Sequence, residues 1–133
     1  MIVGIGCDLC QVDRIRRSLK RFGNAWVDEL FTLDERTICQ NGQDPALLFA
    51  RAFCGKEACS KALGTGINED IGWRDIEVSQ IGANASLRLV DGALARLSSL
   101  TPVNCRAVVH LTCSGDHQIA QALVVISAAP SLR

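Results

Sequence analysis

The sequence has 133 residues, of which 14 are basic and 14 are acidic, so its formal net charge at neutral pH is zero. A chain of this length predicts one domain over residues 1–133 that can bury a core without disulfide support. A neutral molecule has no overall attraction to nucleic acid or to an anionic membrane surface, so we expect neither as a partner.

The seven cysteines are irregularly spaced and odd in number, which is not the pattern of a secreted disulfide framework. The opening "MIVGIGCDLC" has no basic segment and soon reaches an aspartate, so it predicts neither a signal peptide nor a membrane span. We therefore expect reduced, mostly buried thiols and a cytoplasmic protein.

A strand and a basic helix are predicted at the N-terminus. The β-branched run at 2–5 predicts a strand that ends near Asp8. Apolar residues then recur at helical spacing over 12–22, and Gly23 is a natural helix terminator. The other positions of this helix include five basic residues: Arg14, Arg16, Arg17, Lys20 and Arg21. A solvated face is the ordinary explanation of such a run, but a surface of one sign also steers an acidic protein partner.

Three more helices are predicted before the middle of the chain. A short one begins at Asn24, and the sequence "TLDE" at 32–35 fits a capping box that opens the next. The longest helix is predicted to have Asp44 as its N-cap and Pro45 as its first residue. It should run about as far as Gly64, where the glycine ends it.

The second half of the chain predicts strands around one short helix. The segments "WRDIEVSQI" and "ASLRLV" alternate like strands, and "GALARLSSL" has the spacing of an amphipathic helix. The segments "CRAVVHLTC" and "QIAQALVVISA" predict a closing pair of strands around the turn "SGDH", with His110 in the core and His117 in the turn. The predicted fold class is α+β, with an antiparallel sheet packed against the long central helix.

The segment "FCGKEACSKALGTG" at 53–66 carries the most chemistry in the sequence. Glu57 precedes Lys61 by four residues, which is also the spacing of an ordinary surface bridge worth a few tenths of a kcal/mol. The small and apolar residues around the pair predict that at least one of the two charges is partly desolvated and needs a partner.

A magnesium ion bound with a phosphate needs one or two protein carboxylates, and Asp8 and Glu57 could supply them. Lys61 could then reach a phosphate oxygen as a point charge. The tripeptide that follows, Gly64, Thr65 and Gly66, would let backbone amides approach the same anion, although a plain glycine cap explains Gly64 equally well.

These motifs resemble the holo-[acyl-carrier-protein] synthase family, the small phosphopantetheinyl transferases. The resemblance lies in "MIVGIGCDLCQVDRI", "LFTLDE", "WRDIEV", "HLTCSGD" with "AQALVVI", and above all "RAFCGKEACSKALGTGI". It implies the phosphopantetheinyl transferase fold and an enzyme that moves the 4′-phosphopantetheine group of coenzyme A onto a serine of an acidic acyl carrier protein. Adenosine 3′,5′-bisphosphate is released, Mg²⁺ is required, and the family is typically a homotrimer with sites between subunits.

Residue roles follow from the same resemblance. The catalytic positions are Asp8, Glu57 and Lys61, of which Asp8 and Glu57 bind the metal and Lys61 meets the diphosphate. The positions that hold coenzyme A are Lys61, Gly64, Thr65, Gly66 and Ser114. The positions that bind the carrier protein are Arg14, Arg17 and Arg21. The sequence leaves open whether the acceptor serine loses its proton to Glu57 or to a metal-bound water.

Two segments depart from the family pattern. Ser114 is followed by Gly115 where many members have a histidine, and "GAN" at 82–84 stands where a glycine, lysine, proline turn is common. Both differences concern peripheral contacts of coenzyme A and not the metal centre.

Two other functions are weighed against transfer. One is a non-catalytic module that keeps the fold and the carrier-binding helix but has lost turnover. The other is a thiol redox protein that uses Cys7 and Cys10, which form a C-x-x-C sequence between a strand and a helix. A zinc site would need a second pair of ligands, and buried packing thiols are the ordinary alternative.

Overall fold

The computed structural model describes residues 1–79, 81 and 84–132. Its elements in chain order are β1 (Ile2–Gln11), α1 (Val12–Phe22), α2 (Asn24–Leu30), α3 (Leu33–Gln40), α4 (Pro45–Ala62), a 3₁₀ turn (Trp73–Asp75), β2 (Ile76–Ser79), β3 (Ser86–Leu89), α5 (Asp91–Leu100), β4 (Cys105–Gly115) and β5 (Ile119–Pro130). The α+β class with antiparallel strands and a long packed helix is confirmed.

Two antiparallel sheets are formed by the described residues. The larger has the strand order β1-β5-β4, and the smaller pairs β2 with β3. One face of the larger sheet packs against α4, and we call it the inner face; the opposite side is the outer face. Alternate residues of β5 are buried on the inner face, and their neighbours are partly or fully exposed on the outer face.

Helix α4 lies close against β1 because β1 carries glycine where the two meet. A Cβ atom at Gly4 would lie closer than 3.0 Å to the Ala62 carbonyl oxygen, and one at Gly6 would do the same to the Ala58 carbonyl oxygen. Real Cβ atoms do not approach backbone so closely. The glycines therefore allow the helix backbone to lie directly on the strand, and this contact places the charged residues of α4 beside β1.

The helix boundaries follow the sequence prediction closely. Thr32 caps α3 in a complete capping box with Glu35, and Asp44 and Pro45 stand at the predicted N-cap and first positions of α4. The Asp44 side chain makes no capping hydrogen bond and accepts one from Arg16 instead, at 3.4 Å. Helix α4 ends at Ala62, a little before Gly64.

Three sequence predictions are wrong in detail. Strand β1 continues to Gln11, so Asp8 lies inside the strand and not at its end. Residues 73–75, predicted as strand, form a 3₁₀ turn before β2. His110 is exposed on the outer face and hydrogen-bonds Ser127 at 3.0 Å, because the alternation of β4 does not itself say which face is buried.

Across the described residues, no helix combines the length and apolar character needed to cross a bilayer. All seven cysteines are free thiols, four of them buried. Of the "GAN" segment only Asn84 lies within the described residues, where its φ of 53° is in the left-handed region that asparagine tolerates.

Candidate active site

Asp8 and Lys61 come together across the contact between β1 and α4. Asp8 is on the inner face of β1 with its side chain 15% exposed, and the Lys61 Nζ lies 3.1 Å from its Oδ1 atom. The same ammonium donates to the Cys7 carbonyl oxygen, also at 3.1 Å. The hydrogen bond to Asp8 raises the pKa of Lys61, so Lys61 is a cation at neutral pH.

Glu57 lies one turn before Lys61 on α4 and is half-buried. Burial raises the pKa of Glu57, and the charge of Asp8 raises it further, whereas Lys61 and Arg14 act in the opposite direction. Among the described residues, the Glu57 side chain is in no hydrogen bond or ion pair, and Lys61 pairs with Asp8 rather than with Glu57. The simple helix bridge that the spacing allowed is therefore not formed.

The donor set of this site suits a hard divalent cation. Asp8 and Glu57 present carboxylate oxygens that repel each other, and a cation between them would remove this repulsion. In the described part of the chain, no group of three or more His, Cys, Asp or Glu residues could hold a metal, so a metal at this site would have to be held by fewer protein ligands of these types. Two carboxylates are enough for Mg²⁺ when phosphate oxygens and water complete its shell.

The loop after α4 uses its amides to close the helix. Gly64 and Gly66 have φ angles of 79° and 68°, in the region that favours glycine. The amides of Gly64, Thr65 and Gly66 donate to the carbonyl oxygens of Lys61 or Ser60. Because these donors are occupied, the plain cap is the arrangement found, and the predicted approach of the amides to an anion is not. A role of these residues in coenzyme binding would have to use other atoms.

The basic face of α1 borders the site. Arg14, Arg17 and Arg21 line a surface groove of about 590 Å³ together with Ser18, Lys20 and Phe22. The Arg21 guanidinium stacks over the Phe22 ring, 5.1 Å from its centre. The charge of Arg14 acts to lower the pKa of the Glu57 carboxyl against the larger effect of burial, so α1 acts on the site electrostatically.

Ser114 lines a surface pocket to which Asp8 also contributes, but the two side chains leave opposite faces of the sheet. Strand β4 pairs Ser114 with Gln121, and β5 pairs Gln121 with Leu9. These three residues share the outer face of the sheet, whereas Asp8 is on the inner face. The Ser114 hydroxyl accepts a hydrogen bond from the Gln121 amide at 2.8 Å. Within one chain, Ser114 and Asp8 therefore face opposite sides of the sheet.

Comparison with known proteins decides the family. The sequence profile of the 4′-phosphopantetheinyl transferase superfamily matches residues 4–122. A holo-[acyl-carrier-protein] synthase of Methylobacterium nodulans is 47% identical over 131 residues, which are 98% of this chain and 99% of that protein. This chain belongs to the 4′-phosphopantetheinyl transferase superfamily.

Solved structures of the family share the fold. The holo-[acyl-carrier-protein] synthase of Neisseria meningitidis superposes with a TM-score of 0.82 at 28% identity, covering 96% of this chain and 99% of that one. The synthase of Bacillus anthracis, solved in complex with CoA (3′,5′-ADP), gives a TM-score of 0.73 at 31% identity, covering 95% and 96%. The phosphopantetheinyl transferase fold and class predicted from sequence are confirmed.

One departure from the family pattern, Gly115, lies at the end of β4, where the chain turns toward β5. At Gly115, a Cβ atom would lie 2.8 Å from the Ile119 carbonyl oxygen, so the β4–β5 turn of this transferase leaves no room for the side chain of a histidine. Arg51 of α4 donates to the Gly115 carbonyl oxygen at 2.9 Å and ties this turn to the helix. Gly82 and Ala83 lie outside the described residues.

The dithiol hypothesis does not fit the position of the two cysteines. Cys7 and Cys10 are three residues apart on β1, so their side chains leave opposite faces of the strand. Cys7 is exposed and Cys10 is buried. Cys10 instead lies on the inner face, where its thiol donates to the Gln11 carbonyl oxygen at 3.5 Å and the neighbouring Cys54 thiol lowers the pKa of Cys10.

Two charged residues near the site were not singled out by sequence reasoning. Lys56 precedes Glu57, and Glu35 belongs to the predicted capping box, yet both side chains are fully buried with Lys56 Nζ 2.7 Å from Glu35 Oε1. The pattern "KE" gave no clear signal, since two adjacent charges in a helix point roughly 100° apart and can both be exposed, as Arg16 and Arg17 are.

Proposed function

We propose that this protein transfers the 4′-phosphopantetheine group of coenzyme A to a serine of an acidic apo acyl carrier protein, with Mg²⁺ bound by Asp8 and Glu57. The observation that carries the proposal is the convergence of Asp8, Glu57 and Lys61 where α4 lies on β1, in a chain of this superfamily. The two carboxylates can hold the metal that a diphosphate substrate needs, and the Lys61 ammonium can neutralise phosphate charge.

Each residue has a defined task in this chemistry. The serine oxygen attacks the phosphorus next to pantetheine. The bond from that phosphorus to the oxygen that bridges the two phosphates breaks, and the bridging oxygen leaves as part of adenosine 3′,5′-bisphosphate. The Lys61 ammonium donates two of its three N–H groups to Asp8 Oδ1 and to the Cys7 carbonyl oxygen. The third N–H group remains for a phosphate oxygen. When bound, Mg²⁺ polarises the diphosphate and offsets the charge that develops on the leaving oxygen.

The carrier protein would dock on α1. Arg14, Arg17 and Arg21 are exposed on one side of this helix, and acyl carrier proteins of acidic character present the opposite charge. Because Arg14 also acts electrostatically on Glu57, a carrier held on the arginines would bring its serine to the carboxylates. Charge complementarity of this kind raises association rates and fixes orientation.

A homotrimer would explain why large apolar side chains are exposed on the outer face. Large apolar side chains are exposed there, with Ile5 at 62% and Leu9 at 70%; the others are Ile2, Val108, Ile119 and Leu123. A patch of this kind marks an interaction surface.

The thiols favour a cytoplasmic location. All seven cysteines are free, and burial raises the pKa of Cys39 and Cys59 to about 12. Thiols of this kind persist where glutathione and thioredoxin keep the compartment reducing.

The activity is tested by incubating the purified protein with coenzyme A, Mg²⁺ and an apo acyl carrier protein. We expect the mass of the carrier to increase by one phosphopantetheine, and no increase when Mg²⁺ is replaced by a chelator. Carrier binding without any mass increase would contradict transfer and support the non-catalytic module.

A further inference from the structure

The buried pair Glu35–Lys56 joins three elements of the fold. Both side chains are completely shielded from solvent, and Lys56 Nζ lies 2.7 Å from Glu35 Oε1. Glu35 is in the first turn of α3, Lys56 is in α4, and both reach the segment that contains the 3₁₀ turn and β2. Charges this deep persist only where each one is paired and hydrogen-bonded.

Every hydrogen-bonding atom of the pair has a partner. The three protons of the Lys56 ammonium have three acceptors: Glu35 Oε1 and the carbonyl oxygens of Trp73, at 3.0 Å, and of Ile76. Glu35 Oε1 also accepts from the Thr32 amide at 2.8 Å, and its Oε2 accepts from the Val78 amide at 2.7 Å. A fully satisfied network of this kind fits one arrangement of the three elements.

This network limits the rotation of α4 about its own axis. Lys56 and Glu57 are consecutive, so their side chains leave the helix roughly 100° apart. Lys56 points toward Glu35 and β2, and Glu57 is thereby directed to the side of α4 where Asp8 acts on it. If α4 rotated, Lys56 would lose its three acceptors. Apolar side chains would not impose this limit, because their contacts are not directional.

We propose that Glu35 and Lys56 are positioning residues for the transfer reaction, which fix the rotation of α4 so that Glu57 and Lys61 face Asp8. The proposal rests on the roles assigned above to Asp8 and Glu57. It explains why the pair is ionic at a position where burial alone would favour apolar side chains. Neither residue touches the substrate in this account, and both act through the orientation of the helix.

The informative variant is the double substitution Glu35→Gln with Lys56→Met. Either single change would leave a buried charge without its partner. The double variant has no charged side chain at either position, and the glutamine oxygen can still accept a hydrogen bond from a backbone amide. The matched control is Phe49→Leu, which also loosens the buried side of α4 but lies two turns before Glu57. The measurements are thermal unfolding, kcat, KM for coenzyme A and the Mg²⁺ concentration that gives half-maximal rate.

We expect the folded double variant to lose kcat by roughly 100-fold, the effect of a misplacement of about 1 Å. Its half-saturating Mg²⁺ concentration should rise by about tenfold, while Phe49→Leu keeps both values near those of the unsubstituted protein. A double variant that matches Phe49→Leu in both would overturn the proposal.

If the double variant does not fold, Glu35→Asp replaces it in the same measurements, because it keeps both charges but withdraws the carboxylate from Lys56 toward α3. Glu35→Asp with unchanged kcat and Mg²⁺ response would likewise overturn the proposal. Asp8→Asn and Glu57→Gln, assayed beside them, separate the two claims. If these retain activity, the metal assignment fails; if they abolish it and the double variant remains fully active, only the positioning role fails.

Discussion

Gly6 of β1 lies so close to the carbonyl oxygen of Ala58 in α4 that no other residue fits at position 6 without displacing the helix. The same glycine is next to Lys61, since a Cβ atom there would be 3.0 Å from the Lys61 Cβ atom. The strand and the helix therefore meet backbone to backbone where the carboxylates and the lysine converge, and the geometry of the site depends on this contact.

Gly6→Ala should lower both stability and transfer. The added methyl group meets helix backbone, which cannot yield as a side chain can, so the loss should reach or exceed the roughly 1–3 kcal/mol that is usual for overpacking. Thermal unfolding and the transfer rate are to be measured on the same preparation. The control is Gly72→Ala, where the nearest atom to a new Cβ is 3.8 Å away and we expect little change. Equal effects in both variants would contradict close packing at Gly6.

Glu57→Gln should abolish transfer without lowering stability at neutral pH. Because burial and Asp8 raise the pKa of Glu57 in the folded protein, the folded state binds a proton more readily than the unfolded state does. The free energy of unfolding must then fall as pH rises from the ordinary glutamate pKa, about 4.3, to the raised value.

Thermal unfolding measured across pH tests whether the free energy of unfolding falls as pH rises. Above the raised pKa, the glutamine variant should unfold at an equal or higher temperature than the unsubstituted protein, and the difference should disappear in acid. The control Glu29→Gln, at an exposed position of α2, should show no such trend. A glutamine variant that is less stable at neutral pH would assign Glu57 a structural role.

Charge reversal at Arg14 should weaken binding of the acyl carrier protein. Placing glutamate opposite an acidic partner costs several kcal/mol at close contact, so the apparent affinity should fall by about tenfold or more. The loss should be larger at low salt, because at 0.1 M ionic strength salt already screens charge interactions beyond about 10 Å. The matched control is Arg74→Glu, at an exposed arginine outside α1. If affinity is independent of salt in every variant, α1 is not the docking surface.

Leu9→Lys should dissociate the oligomer. Leu9 is 70% exposed on the outer face, so a lysine there is tolerated by an isolated chain but would be buried and unpaired between subunits. The mass in solution, measured by light scattering, should fall from that of a trimer to that of a monomer. Val103→Lys, at a residue 88% exposed outside the sheet, should leave the mass unchanged. A single chain in the unsubstituted protein would contradict the trimer directly.

The sequence predicted the elements better than their environment. Helix α4 was placed correctly because Pro45 and the glycines after Leu63 are local signals that act within a few residues. The exposure of His110 could not be read from alternation, since a strand has two faces and only the packing of α4 selects the buried one. The position of Ser114 opposite Asp8 follows in the same way from the register of β4 and β5.

The metal-binding roles of Asp8 and Glu57 remain a prediction. Asp8 and Glu57 were paired from the preferences of magnesium and from family resemblance, and the structure brings the two elements that carry them into contact. The ion pair of Lys61 with Asp8 was missed, because helical spacing suggested Glu57 as the partner. The Glu35–Lys56 pair was also missed, since burial of a charge depends on three elements that are distant in the chain.

The most direct test is to measure whether Asp8 and Glu57 share one divalent cation. Binding of Mn²⁺, followed by electron paramagnetic resonance in the presence of coenzyme A, should show one ion per chain. Asp8→Asn and Glu57→Gln should each weaken this binding by roughly tenfold or more. Lys61→Met removes a neighbouring positive charge and should not weaken it. Unchanged Mn²⁺ affinity in both carboxylate variants would contradict the shared metal site.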